Sequence, residues 1–347
     1  MNDQFLKACR MQETDYTPVW IMRQAGRYLQ EYRDIQKTAD FLTVCKTPDL
    51  TVDVTLQPVR ILDVDAAILF SDILTPVEKM GMKLQFIKGK GPVLDPPVTS
   101  MQAVERLGVP DPEDDLPFVL ESIRILRGEL EGKVPLIGFC GAPFTLACYM
   151  IEGETSKDYS GAKRLMFQAP HIFTALMEKI TETISVYADA QIRAGVQAVQ
   201  FFDTWAGLLS RKDYSRYALP YIKKAISYVK KKHPKVPVIY YINGSATILD
   251  LMQKAGSTVI GLDWRHDLDT AWQQLGNKVA VQGNLDPCTL FLPQDELKKR
   301  VRDILKKAGG QPGHIFNLGH GILPATPREN AIALVEMVHK MSRKKGA

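Results

Sequence analysis

Long apolar runs are missing from this chain of 347 residues. None approaches the ~20 residues a helix needs to cross a bilayer, so no membrane partner is expected. The N-terminal stretch MNDQFLKACRMQETDY is polar and has no signal-peptide core. Cysteine is scarce: Cys9, Cys45, Cys140, Cys148 and Cys288 are odd in number, widely spaced and form no C-x-x-C pair. That excludes a disulfide framework and points to reduced thiols in a cytoplasm. His171, His233, His266, His314, His320 and His339 show no H-x-x-x-H, H-E-x-x-H or His-x-Cys spacing, so no metal site is expected. No strand-like run leads into G-x-G-x-x-G, Gly89-Lys90-Gly91-Pro92 lacks the Ser or Thr a P-loop needs, and no G-x-S-x-G elbow occurs. Nor does one sign of charge dominate: 44 basic against 39 acidic side chains leave +5. The basic clusters Lys230–Lys232 and Arg343–Lys345 suit helix C-termini, where cations oppose the dipole. No aromatics interleave with them, which argues against nucleic acid.

What is present is a rhythm. Eight short apolar runs, at 18–22, 66–70, 134–139, 197–202, 236–242, 258–262, 278–283 and 314–318, alternate with helical patterns at 171–194, 214–232, 246–255, 267–275, 295–308 and 327–342. Such alternation is the signature of βα units and a parallel sheet. Eight strands predict a single (β/α)8 TIM-type barrel over 1–347. An open doubly wound sheet is the alternative, disfavoured by the missing glycine fingerprint. Asp295 is a plausible N-cap for its helix. KLQFIK and VLDPPV flank the GKGP stretch, which reads as the turn of a β-hairpin inserted after the second strand. Asn243-Gly244-Ser245 reads as a turn, not as a used sequon.

In barrels the active site lies at the strand C-termini. There the sequence places Arg23-Gln24-Ala25-Gly26-Arg27, Ser71-Asp72, Gly141 to Tyr149, Asp203-Thr204-Trp205 and Gly319-His320-Gly321. Arg23 and Arg27 share one face if the segment turns helically, and two guanidiniums facing a cleft suit a polyanion. A surface salt-bridge pair is the blander reading. Asp72 either caps a turn or acts in catalysis. The glycines around His320 permit close backbone approach to a ligand, though a lone histidine is often structural. Phe41 and Tyr149 taken alone would be core aromatics.

The segments PVWIMRQAGRYLQEYR at 18–33, ILFSDIL at 68–74, GAPFTLACYMIEG at 141–153, FFDTWAG at 201–207 and FNLGHGI at 316–322 resemble the uroporphyrinogen decarboxylase family, nearly end to end and in order. The resemblance implies a homodimeric, cofactor-independent barrel that converts the four acetate arms of uroporphyrinogen III to methyl groups in haem and tetrapyrrole synthesis. It gives coproporphyrinogen III and four carbon dioxide molecules. It implies Asp72 and Arg23 as catalytic residues and Arg23, Gln24, Ala25, Gly26, Arg27, Phe41, Asp72, Tyr149, Thr204 and His320 as substrate-binding ones. Gln30 stands where the family motif usually has proline, and Thr204 where some members have serine. Two other readings are a corrinoid or thiol methyltransferase of related fold and a non-catalytic tetrapyrrole carrier. The first needs a His-x-Cys motif, where this chain has Tyr240-Tyr241-Ile242-Asn243-Gly244.

Overall fold

The computed structural model describes residues 2–87 and 89–344, so Lys345 of the basic tail lies outside the described residues. Its strands are β1 Ala67–Ile68, β2 Lys83–Ile87, β3 Gly91–Asp95, β4 Leu136–Gly141, β5 Ala198–Phe202, β6 Val238–Tyr241, β7 Val259–Gly261, β8 Ala280–Gln282 and β9 His314–Ile315. Seven form one sheet in the order β1-β4-β5-β6-β7-β8-β9, with every neighbouring pair parallel. Their residues are buried throughout, with Phe202 alone partly open. A sheet covered on both faces requires that. The sheet is curled. Gln282 of β8 donates to Gln200 of β5 at 3.1 Å and accepts from Trp20 Nε1 at 2.9 Å. Strands with two others between them meet only across a concave interior. β2 and β3 pair antiparallel as a separate two-stranded sheet.

One predicted strand is corrected. Segment 18–22 has no ladder, only a single parallel bridge from Val19 to Phe316. Its backbone groups are taken by side chains instead. Pro18 has no N–H; Val19 N donates to the Asp65 carboxylate (2.7 Å), Ile21 N to Gln24 Oε1 (3.0 Å) and Met22 N to Asn317 Oδ1 (2.9 Å). The segment still lies between two strand neighbours. Phe316 N donates to Pro18 O and Asp65 N to Val19 O, both at 2.8 Å.

Helices pack against the outside of the sheet. Pro170–Ala194 precedes β5 and is held to β4 by Gln191, whose side chain accepts from Phe139 N (3.0 Å) and donates to Phe139 O (2.9 Å). The pattern over 214–232 is split into Arg211–Tyr217 and Leu219–Lys232. Pro220 explains the break: it has no N–H to continue the helical ladder and its ring clashes with the carbonyl four residues back, so the second helix restarts with the proline in its first turn after Ala218. The helix Gln294–Ala308 starts one residue before Asp295, with Pro293 at the cap. Asp295 is therefore not the cap, though its charge in the first turn suits the dipole. Lys230–Lys232 do occupy a last helical turn. A second apolar cluster joins Val19, Ile21, Phe316 and Leu318 to Leu334, Val335 and Val338 of the helix Arg328–Ser342. Each large side chain fully buried there contributes about 1.5–3 kcal/mol.

Asp65, 1% exposed, anchors the start of β1. It accepts from Val19 N (2.7 Å), Asn2 Nδ2 (2.6 Å) and Tyr16 Oη (2.8 Å), with His339 Nε2 at 2.7 Å. Asp65→Ala leaves the buried Val19 N and three half-buried donors without their acceptor. We predict a loss of roughly 1–3 kcal/mol, the cost of leaving a buried donor unsatisfied, read as a lower urea midpoint. A loss below about 1 kcal/mol, the scale of one ordinary hydrogen bond, would contradict this assignment.

Candidate active site

A cavity of about 1310 Å³ opens at the C-terminal ends of the parallel strands. Arg23, Gln24, Ala25, Gly26, Arg27, Phe41, Asp72, Tyr149, Thr204 and His320 all line it. Residues far apart in the chain are thus brought to one place.

The first loop is not helical as the arginine spacing suggested. Residues 21–28 form turns, and Arg23 sits in the left-handed region at φ 63. The cause is Gln24, which is fully buried. Its Nε2 donates to Ala66 O at 3.1 Å, its Oε1 accepts from Ile21 N, and its carbonyl accepts from Tyr28 Oη at 2.7 Å. The Gln24 side chain is therefore committed to tying the loop to β1. Arg23 and Arg27 are exposed, and neither has an ion-pair partner among the described residues.

The glycines around His320 serve protein packing, not ligand approach. A Cβ on Gly319 would sit 2.3 Å from Trp264 N, and one on Gly321 would sit 2.4 Å from Arg23 Cδ. Removing them would shift either β7's extension or the arginine stem. His320 Nδ1 accepts from Gly321 N at 2.6 Å, which leaves the ring proton on Nε2. Burial, then the Arg23 cation, push its pKa down to about 4. At neutral pH it is an uncharged single donor.

Asp72 follows β1 and is half-buried at the cavity wall. Its Oδ1 accepts from Leu74 N at 2.8 Å, so it stabilises the turn entering the helix Thr75–Lys79. Among the described residues that is the one hydrogen bond of its carboxylate. Burial raises its pKa to about 6; the Leu74 N–H and Arg23 oppose the rise. Phe41 begins the helix Phe41–Lys46, where Asp40 caps Thr43 N, and its ring lies 4.7 Å from Phe86 of β2. Tyr149 lies on the helix Pro143–Glu152 with its ring 6.1 Å from Trp205. Phe86, Phe139 and Phe202 complete apolar walls that the sequence reading did not select. Phe139 and Phe202 could be recognised only by knowing which strand face turns inward. The whole is a large cleft with apolar walls, two guanidiniums without an ion-pair partner among the described residues, one neutral imidazole donor and two carboxylates, Asp72 and the helix-capping Asp40. It suits a bulky polyanion carrying N–H donors.

A curled parallel sheet with a polar cavity at its strand C-termini defines an enzyme-type α/β fold of the TIM class. The model for uroporphyrinogen decarboxylase matches residues 1–341, and the chain belongs to that family. A relative named uroporphyrinogen decarboxylase from Trichlorobacter lovleyi is 56% identical over 344 residues, covering 99% of this chain and 100% of that protein. One so named from Carboxydothermus hydrogenoformans is 56% identical over 342 residues, covering 99% of this chain and 97% of its own. Among solved structures, a methyltransferase from Methanosarcina mazei superposes with a TM-score of 0.83 at 21% identity, with 98% of each chain covered. That likeness shows the fold alone. Among the described residues no three His, Cys, Asp or Glu side chains group as metal ligands, and no helix is long and apolar enough to cross a membrane.

The raised Asp72 pKa has a consequence for stability. A carboxyl harder to ionise in the fold than in the unfolded chain destabilises the fold while charged. The penalty is full above about pH 6 and disappears as pH falls toward the ordinary 3.8. Asp72→Asn can keep the bond to Leu74 N without the charge. It should melt no lower than the wild type at pH 7, and its advantage should shrink toward pH 4. A melting point well below wild type at pH 7 would mean that Asp72 is chiefly a turn-stabilising residue.

Proposed function

We propose that this chain removes carbon dioxide from the four acetate arms of uroporphyrinogen III, giving coproporphyrinogen III in porphyrin biosynthesis. The observation that carries the mechanism is Asp72, a carboxylate set in an apolar-walled cavity with one backbone donor and, among the described residues, no other hydrogen-bond partner. The substrate's four pyrrole N–H groups converge on the centre of the macrocycle, where one anion can accept from several of them.

The ring is its own electron sink. A proton adds to the pyrrole carbon beside the acetate arm and makes the ring cationic. The C–CO2 bond then breaks, its electron pair enters the ring, and an exocyclic C=C bond forms. A second proton goes to that terminal carbon while the ring carbon loses the first, leaving a methyl group. Asp72 stabilises the cation as it forms, through a charge already in place. No metal or organic cofactor enters the scheme.

Arg23 and Arg27 bind substrate carboxylates, each fork able to hold one bidentately. Arg23 orients the departing carboxylate, and the proton arrives through water, since a guanidinium is a poor acid at neutral pH. His320, neutral, donates Nε2–H to a carboxylate. Ala25 and Gly26 offer backbone, Phe41 and Tyr149 flank the macrocycle, and Thr204 supplies a hydroxyl. Gln24 contributes by holding the loop. We assign one domain over 1–347. In it, segment 18–21 closes the curled sheet between β9 and β1 as an eighth stave, and β2–β3 is a hairpin inserted over the cavity. We also assign a homodimer, on family resemblance, and a cytoplasmic setting, where the five cysteines stay reduced.

Asp72→Asn should lose on the order of 100- to 1,000-fold in single-turnover rate, the usual consequence of removing one preorganised electrostatic contact. Near-normal turnover would end its catalytic role. Arg23→Ala and Arg27→Ala should raise KM for the polyanion, and added salt should weaken wild-type binding because exposed charges are screened. Unchanged KM in both variants would remove them from the site.

A further inference from the structure

We infer that Asp203, which does not line the cavity, is a positioning residue for the decarboxylation, setting Tyr149 and Thr204 through Thr145 and Tyr240. The inference rests on the functional reading above.

Asp203 follows the last residue of β5 and is 1% exposed. Its Oδ1 accepts from Thr145 N (3.2 Å) and Thr145 Oγ1 (2.8 Å). Its Oδ2 accepts from Tyr240 Oη (2.8 Å), which lies 3.1 Å from Tyr214 Oη. Thr145 Oγ1 also accepts from Trp205 N at 3.1 Å. One carboxylate therefore joins the end of β5, the first turn of the helix Pro143–Glu152 and strand β6.

The two cavity residues hang from this clamp by short covalent routes. Thr204 is the next residue in the chain. Tyr149 is one helical turn beyond Thr145, on the same face. A slip between the helix and β5 would move the two walls of the cavity relative to each other. Backbone pairing limits that slip through the β4–β5 ladder, which ends at Gly141 and Phe202, and at Ala142 N to Phe202 O (2.8 Å); the carboxylate adds side-chain links beyond the end of that ladder. An apolar residue at 203 would avoid the cost of burying a charge, and such replacements are often neutral or stabilising. A buried carboxylate with three donors supplies direction instead, because each bond fixes an angle as well as a distance. Burial raises the pKa of Asp203 to about 6, against the pull of the Thr145 and Tyr240 hydrogen bonds, so those donors are what keep it ionised at neutral pH.

The test is a double-mutant cycle on the full-length protein with uroporphyrinogen III under anaerobic conditions. Asp203→Asn and, separately, Thr145→Val should each lower kcat/KM by about 10- to 100-fold, the scale of a misplacement near 1 Å. Thr145→Ser, which keeps the hydroxyl, should stay close to wild type. In a Tyr149→Ala/Thr204→Ala background, where nothing is left to position, Asp203→Asn should cost no more than about twofold further, the margin within which independent sites add. Equal loss in both backgrounds, or lower melting with wild-type kcat/KM, would overturn the inference. If Asp203→Asn does not fold, the Thr145→Val and Thr145→Ser pair carries the same comparison. Should the wild type itself release no carbon dioxide from uroporphyrinogen, the functional reading fails; an active wild type with an additive cycle fails this inference alone.

Discussion

The cost of holding a negative charge against apolar walls governs this site. Asp72 has one backbone donor and the distant help of Arg23. A carboxylate so placed is a poor neighbour for the fold and a good one for a cation that forms beside it. The surrounding groups are consistent with that single demand. Among the described residues Arg23 and Arg27 have no acid partner, so their charge does not cancel Asp72 through a salt bridge and, on the proposed reading, is available to substrate. His320 is held neutral, so it adds no second cation to the cavity. Phe86, Phe139 and Phe202 line the same cavity with apolar surface, which lowers the local dielectric around the charge.

That arrangement depends on side chains doing the work of backbone. Where a regular eighth strand would run, Asp65, Gln24 and Asn317 take the N–H groups of Val19, Ile21 and Met22. The departure from ladder geometry lets the chain turn at Arg23, in left-handed backbone, and present two guanidiniums from a loop of few residues. A regular strand leading into a helix would have placed Arg23 and Arg27 on a helix face, with less freedom to bring both toward one cavity. The Gly321 contact with the Arg23 stem shows the same economy: the loop that carries His320 also shapes the course of the arginine.

Much of this was legible in the sequence, and the limits are physical. Buried parallel strands announce themselves because both faces are apolar, so β4 through β9 stand out as runs. Segment 18–22 looked the same because burial, not hydrogen bonding, writes that pattern. Its partners at Asp65 and Asn317 are long-range and leave no local trace. The ten predicted site residues do line one cavity, because motifs at strand ends converge once the sheet curls. Their roles were less visible. Gln24 reads as a ligand group in a polar motif, yet its amide is spent on Ala66 and Ile21. Gly319 and Gly321 read as room for a ligand, yet the room belongs to Trp264 and Arg23. A sequence shows which residues gather; only packing shows which atoms remain free.

Two aspartates at opposite ends of β1 make the same point in energetic terms. Asp65, before the strand, meets Val19 N, Asn2, Tyr16 and His339, so its charge is matched at each oxygen. Asp72, after it, meets Leu74 N and then the cavity. Both flank the same short strand, and their local sequences, LDVDAAI and LFSDILT, give little to separate them. What separates them is the end of the sheet each occupies. At the N-terminal end of the strands, loops and the last helix close over the carboxylate and satisfy it. At the C-terminal end, β5 and β6 deliver Asp203 and Tyr240 to each other and leave Asp72 without such a partner. An unsatisfied anion in that position is unfavourable for the free protein. On the mechanism proposed above, it persists because the substrate's pyrrole N–H groups supply the missing donors.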